Sequence, residues 1–183
     1  MGLVWQGSEE SRLTCPVVLL RVLLSLAVWH QDADLTRETR SALYRPVAET
    51  ICRVGRTPQE QAWLAAQAYA ETTLAKYVIE GRCADGPPGI RCDEGRATTE
   101  WQVHAHCTAA WTAPTLAERR EAGARCALKT ARRGLKVCGL LGSFGFQTGK
   151  QLCAGPWIER NAVPRVRLYR WILSRIQEGQ TNG

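Results

Sequence analysis

The sequence predicts a mainly α-helical fold interrupted by one disulfide-stabilised loop or small hairpin region. Three observations predict it. Apolar residues recur at spacings of three and four in several windows, whereas β-branched runs with period two are nearly absent. Only the stretch from Gly81 to Ala113 changes character, being rich in Gly, Pro and Cys without a helical period until its end. The chain has 183 residues, 45% of them hydrophobic, which is enough for one well-cored domain and short for two of ordinary size.

The elements follow in order. The strongly apolar run "CPVVLLRVLLSLAVWH", residues 15–30, is interrupted by Arg21 and short of the roughly 20 apolar residues a transmembrane helix needs. The preceding "MGLVWQGSEESRL" has two acids and one Arg where a secretory leader carries a basic region, and no small-x-small cleavage site follows. Residues 1–36 are therefore an atypical leader, a start-site artefact or a peripheral helix, set apart from a main domain over 37–183. A first helix is expected over about 36–54, with Pro46 as a kink or break because it lacks an amide hydrogen. The next has the best-marked start: in "TPQE", Thr57 can cap, Pro58 takes the first helical position and Glu60 completes a capping box. It should run to about Val78 and end at Gly81. A third helix, about 115–138, carries Ala124, Leu128, Ala131, Leu135 and Cys138 as an inward stripe. A last one, from about Pro164 to Ile176, turns Leu168, Ile172 and Ile176 inward and Arg165, Arg167, Arg170 and Arg175 outward.

The formal charge is +7, with basic residues gathered in Arg119–Lys136 and Arg160–Arg175. Such rows suit a polyanion, whether nucleic acid, an acidic membrane face or a wall polymer, and equally suit a plain solvated face. Eight Cys point to an oxidising compartment. Cys83 and Cys92 bracket the turn-prone "ADGPPGIR", and a disulfide there is worth about 2–3 kcal/mol in the chain-entropy picture. The other pairings are not readable from sequence. No C-x-x-C or H-E-x-x-H occurs, and "HAHC", His104 to Cys107, lacks a second ligand pair at the usual spacing, so neither metal nor cofactor is expected.

Glu71 is the residue that asks for an explanation. At 100° per residue it falls within about 60° of Leu64, Ala68, Leu74 and Ala75, on the apolar stripe of its helix. Two readings follow: a buried carboxylate satisfied by a hydroxyl, an indole or an Arg, or a desolvated general acid of the kind that protonates a glycosidic oxygen. A second carboxylate for such chemistry would come from Asp85, Asp93, Glu94 or Glu100, and Trp101 and Gln102 in "EGRATTEWQVH" could line a sugar site.

A helix ending "AYAET", a loop ending "GRATTEWQVH", then "GARCAL" on a later helix and "GSFGFQTGKQLC" before a final one resemble the lysozyme-like fold of lytic transglycosylases and goose-type lysozymes, in a cysteine-rich bacterial version. The likeness runs from about residue 37 to the C-terminus and rests on short motifs. The family's Glu-Ser is Glu71-Thr72 here. Its Gly-Leu-Met-Gln stretch becomes "TEWQV", keeping Gln102, and its Tyr-Asn motif becomes Phe146 and Gln147 in "FGFQTG". The resemblance implies an acid/base at Glu71 supported by Thr72, and a substrate cleft that includes Trp101, Gln102, Val103, Phe146 and Gln147. It further implies cleavage of the β-1,4 bond between N-acetylmuramic acid and N-acetylglucosamine, without cofactor, by a monomer outside the cytoplasm or associated with a phage. The substrate's own 6-hydroxyl would close an anhydro ring, while water would serve if Asp93, Glu94 or Glu100 turned inward. Two rivals stand beside this: a glycan-binding relative that has lost activity, favoured by the missing Tyr, and a basic helical nucleic-acid binder, for which no docking motif is visible.

Overall fold

The structure, a computed structural model, describes residues 9–28, 30–83, 92, 96–148 and 153–181, with backbone alone for 9–14 and 148. These residues form seven α-helices: α1 Glu9–Ser25, α2 Arg37–Val54, α3 Pro58–Thr72, α4 Lys76–Ile79, α5 Thr108–Thr112, α6 Leu116–Gly145 and α7 Val163–Thr181. The expected mainly α fold holds. Among the described residues the only β pairing is a bridge between Thr98 and Val103.

The centre of the fold is α3. Every residue from Gln61 to Ala68 is buried, so the helix has no polar face in its middle and must be enclosed by neighbours. Four alanines in that stretch let α2, α6 and α7 pack closely around it. Trp63 stacks on Phe144 with ring centroids 5.3 Å apart, Phe144 meets Tyr169 edge-on at 6.5 Å, and the Trp63 indole N–H donates to Ser143 Oγ at 3.0 Å. The start of α3 follows its sequence signal, with Thr57 Oγ1 accepting from the Glu60 amide at 3.2 Å. The return bond differs: the Glu60 carboxylate accepts from the Arg56 amide at 2.9 Å and pairs with Arg132 of α6 at 2.6 Å, so this end is tied to a second helix.

Three boundaries depart from expectation, each for a local reason. Instead of reaching Val78, α3 stops at Thr72, whose hydroxyl donates to Ala68 O at 2.9 Å and accepts from the Leu74 amide at 3.2 Å. That hydroxyl competes with the helical ladder. Pro46 does not break α2, which runs through it to Val54. In α6 the chain reverses at Gly139, where φ is +65°, and Gly134 and Gly142 come into backbone contact across the bend. Of the expected inward stripe of α6, Ala124, Leu128 and Ala131 are buried, joined by Gly123, Ala127 and Gly134, whereas Leu135 is half-exposed.

Helix α1 packs on α2 and α7, with Leu19 and Leu23 fully buried and Cys15 bonded to Cys52. The remaining disulfides are Cys83–Cys92, as expected from the loop sequence, Cys107–Cys126 and Cys138–Cys153, so all eight cysteines are paired. Four such bonds place the chain in an oxidising environment. Among the described residues no helix is long and apolar enough to cross a membrane.

The Gly134–Gly142 crossing yields a direct test. A Cβ on Gly134 would lie 2.1 Å from the Gly142 carbonyl oxygen, and backbone cannot swing aside as a side chain would. Gly134→Ala should therefore destabilise the protein by about 1–3 kcal/mol, read by urea unfolding, whereas Leu135→Ala on the exposed flank should change it by less than about 1 kcal/mol.

Candidate active site

Glu71 occupies the last turn of α3, and its side chain is 23% exposed. Its Oε1 is ion-paired with Nη1 of Arg165 on α7 and accepts from Gln67 Nε2 at 2.7 Å. Arg165 Nη1 also donates to Gln67 Oε1 at 3.2 Å, closing a three-membered ring of contacts. Gln67 is fully buried, and both ends of its amide are thereby satisfied. Arg165 is thus not an outward residue. It shares a helical stripe with the buried Tyr169 and Ile172, four and seven residues on, and its side chain is only 14% exposed.

Immediately after Glu71 the backbone does something unusual. Thr73 and Leu74 both lie in the left-handed region, at φ of 49° and 55°. Each such residue without glycine's freedom costs on the order of 1 kcal/mol or more, and a β-branched Thr is among the least suited. The reversal is held by the Thr72 hydroxyl and by Asp32, whose carboxylate accepts from the Lys76 amide at 2.7 Å at the start of α4. Thr72 is thus a scaffold for the turn beside Glu71, through its bonds to Ala68 and Leu74.

The segment carrying the other expected residues is a tight loop closed by the Thr98–Val103 bridge, with amide-to-carbonyl distances of 3.0 and 2.9 Å. Two of its expected site residues are almost wholly enclosed. Trp101 is 1% exposed and its indole N–H donates to Leu64 O at 3.0 Å, so the ring fills the core against α3 instead of lining a sugar site. Glu100 is equally buried, forming an ion pair with Arg120 Nε at 2.6 Å, while Arg120 Nη2 reaches Ile79 O at 2.6 Å. Burial pushes the Glu100 carboxyl above its ordinary range, and the Arg120 guanidinium pulls it part of the way back. Neither residue is positioned as an accessible second acid or a cleft wall. The alternatives Asp85, Asp93 and Glu94 lie outside the described residues. Gly123 of α6 allows the close approach of this loop: a Cβ there would meet Thr99 Oγ1 at 2.5 Å.

Four of the expected cleft residues do meet. Gln102, Val103, Phe146 and Gln147 line one pocket of about 410 Å³, together with His104 and His106 from the loop and Lys129 and Arg133 from α6. The Gln147 amide is tied to Ala127 O at 3.2 Å and the Gln102 amide to Thr99 O at 2.9 Å, which fixes both rims. Glu71, Thr72 and Trp101 are not among the lining residues. His106 lies near the sulfurs of Cys107 and Cys126, but these are bonded to each other and carry no free thiolate for a metal.

Gln67 and Arg165 beside Glu71, and Lys129 and Arg133 at the pocket, are neighbours of the candidate residues that the sequence reading did not single out. The first could have been found as the polar residue one helical turn before Glu71, and Arg165 from its phase with Tyr169 and Ile172. Comparison of the chain with family models, curated proteins and solved structures gave no match.

The buried pair near the loop predicts a measurable asymmetry. Arg120→Met leaves Glu100 as an uncompensated buried charge and should cost about 3–5 kcal/mol, whereas Glu100→Gln combined with Arg120→Met should cost clearly less. The sign of the pH dependence is also set. A carboxyl raised on folding adds stability below its ordinary 4.5 and loses that contribution as pH rises through the folded value. Wild-type stability should therefore fall relative to the double variant as pH is raised from acid towards neutral, as followed by denaturant midpoints.

Proposed function

We propose that the protein cleaves glycan strands of peptidoglycan at the β-1,4 bond between N-acetylmuramic acid and N-acetylglucosamine, with Glu71 as the single acid/base. The observation that carries this reading is the setting of Glu71: a partly accessible carboxylate at the end of the most buried helix, held by Gln67 and Arg165 and followed by two strained left-handed residues. Strain of this kind persists where the surroundings over-determine it, which is characteristic of functional positions.

Glu71 would donate a proton to the glycosidic oxygen as the bond to the muramoyl anomeric carbon breaks. The same carboxylate would then take the proton from the sugar's 6-hydroxyl as that oxygen bonds to the anomeric carbon, closing an anhydro ring. The burial of Glu100 in its pair with Arg120 supports a mechanism that needs no contribution from that residue. An ion pair with Arg165 is made by the carboxylate form of Glu71. The entering sugar would therefore displace Arg165, and Glu71 would take up a proton from solvent before the first cleavage, the 6-hydroxyl proton recharging it for the next. Arg165 is in this reading a positioning residue. A substrate outside the cytoplasm accords with the four disulfides.

The Arg165 contact also favours a second reading, a module of the same kind that binds glycan without cutting it, because an ion-paired carboxylate is fully occupied without any substrate. Incubation of wild type and Glu71→Gln with purified peptidoglycan, with soluble products read by mass spectrometry, separates the two. Anhydro-muropeptides are expected from wild type, falling by about 10²-fold or more in the variant. Reducing-end products would make water the acceptor, and no Glu71-dependent product from folded protein would favour the binding module.

A further inference from the structure

The seven Lys and Arg of α6 differ in their surroundings; Arg119 and Lys136, which have no carboxylate partner among the described residues, do not line the pocket. Arg120, Arg125 and Arg132 each have a carboxylate partner: Glu100, Glu121 and Glu60. Lys129 and Arg133, one helical turn apart, have none among the described residues, and both are exposed and line the 410 Å³ pocket. His104 and His106 line it from the loop, and among the described residues no carboxylate lines it. The walls are fixed in advance by the Cys107–Cys126 disulfide between the loop and α6 and by the Gln147 bond to Ala127 O, which limits the ordering cost of binding. Val103 and Phe146, both almost fully buried, form part of its floor.

A pocket of about 410 Å³ takes a ligand of limited size. Its chemistry selects an anion attached to a short apolar stem. We propose that it receives a carboxylate-bearing peptide branch of the glycan strand, with Lys129 and Arg133 as the charge partners. Identifying the strand as peptidoglycan rests on the glycosidase reading; the charge selection does not. The chain would thus grip its polymer by the peptide substituent, away from the scissile bond, and would prefer strands whose branch carboxylates are free over strands in which they are amidated.

The test is calorimetric titration, at low salt, of the full chain with a soluble disaccharide-peptide whose carboxylates are free, and with the same fragment amidated. Wild type should bind the free acid about tenfold more tightly. Lys129→Gln combined with Arg133→Gln, both on the exposed surface, should bind the two fragments equally and at the level of the amidated one. Equal binding of both by wild type, binding of neither, or a preference that survives the double substitution would overturn the assignment. Cleavage is read separately. Glu71-dependent products without a charge preference would sink the pocket assignment alone, whereas a charge preference without such products would uphold it while removing the glycosidase.

Discussion

The burial of Gln67 organises the candidate site. A helix enclosed along its middle can be built from alanine, leucine and one tryptophan, but a fully buried amide needs a partner at each end. Gln67 gives its N–H to Glu71 and takes one from Arg165. That requirement draws a cation from α7, 98 residues along the chain, against a carboxylate one turn away on α3. The packing of α3 on α7 and the orientation of Glu71 are therefore one constraint. The same ring of contacts explains how a charge is tolerated on a stripe that reads as apolar: it is paired, hydrogen-bonded and still reaches solvent.

A second set of contacts aligns the loop. Glu100 and Arg120 join it to α6, Arg120 extends the link to Ile79 at the end of α4, and Trp101 anchors it to Leu64 of α3. Three elements are thus locked by one short segment whose own pairing is a single bridge. The consequence for function is a division of labour. Glu100 and Trp101 hold the loop in place, and Gln102 and Val103, with the histidines that follow, are left to line the pocket.

Periodicity and capping made the helices legible: "TPQE" marks the start of α3, and the Cys83–Cys92 bond is visible in the turn-prone residues between. What was not legible depended on contacts between distant residues. The early end of α3 comes from Thr72 and Asp32 holding a left-handed turn, and no residue there is the glycine that such a turn advertises. The exposure of Leu135 follows from the reversal at Gly139, which removes the partner an uninterrupted stripe would need. The arginine row looked like a uniform surface; in fact Arg120 and Arg165 are internal, Arg125, Arg132 and Arg175 are paired on the surface, and Lys129 and Arg133 are two of those with no carboxylate partner among the described residues. Trp101 looked like a sugar platform because a ring beside an amide suits a cleft, but its N–H found a backbone carbonyl in the core.

The claim that joins these observations is that Glu71 meets the scissile bond and that Arg165 yields to it. A crystal structure of Glu71→Gln with a bound peptidoglycan fragment addresses both at once. The account predicts the glycosidic oxygen within hydrogen-bond distance of the side chain at position 71 and the Arg165 guanidinium displaced from it. A fragment bound elsewhere, with Arg165 still seated between position 71 and Gln67, would contradict it.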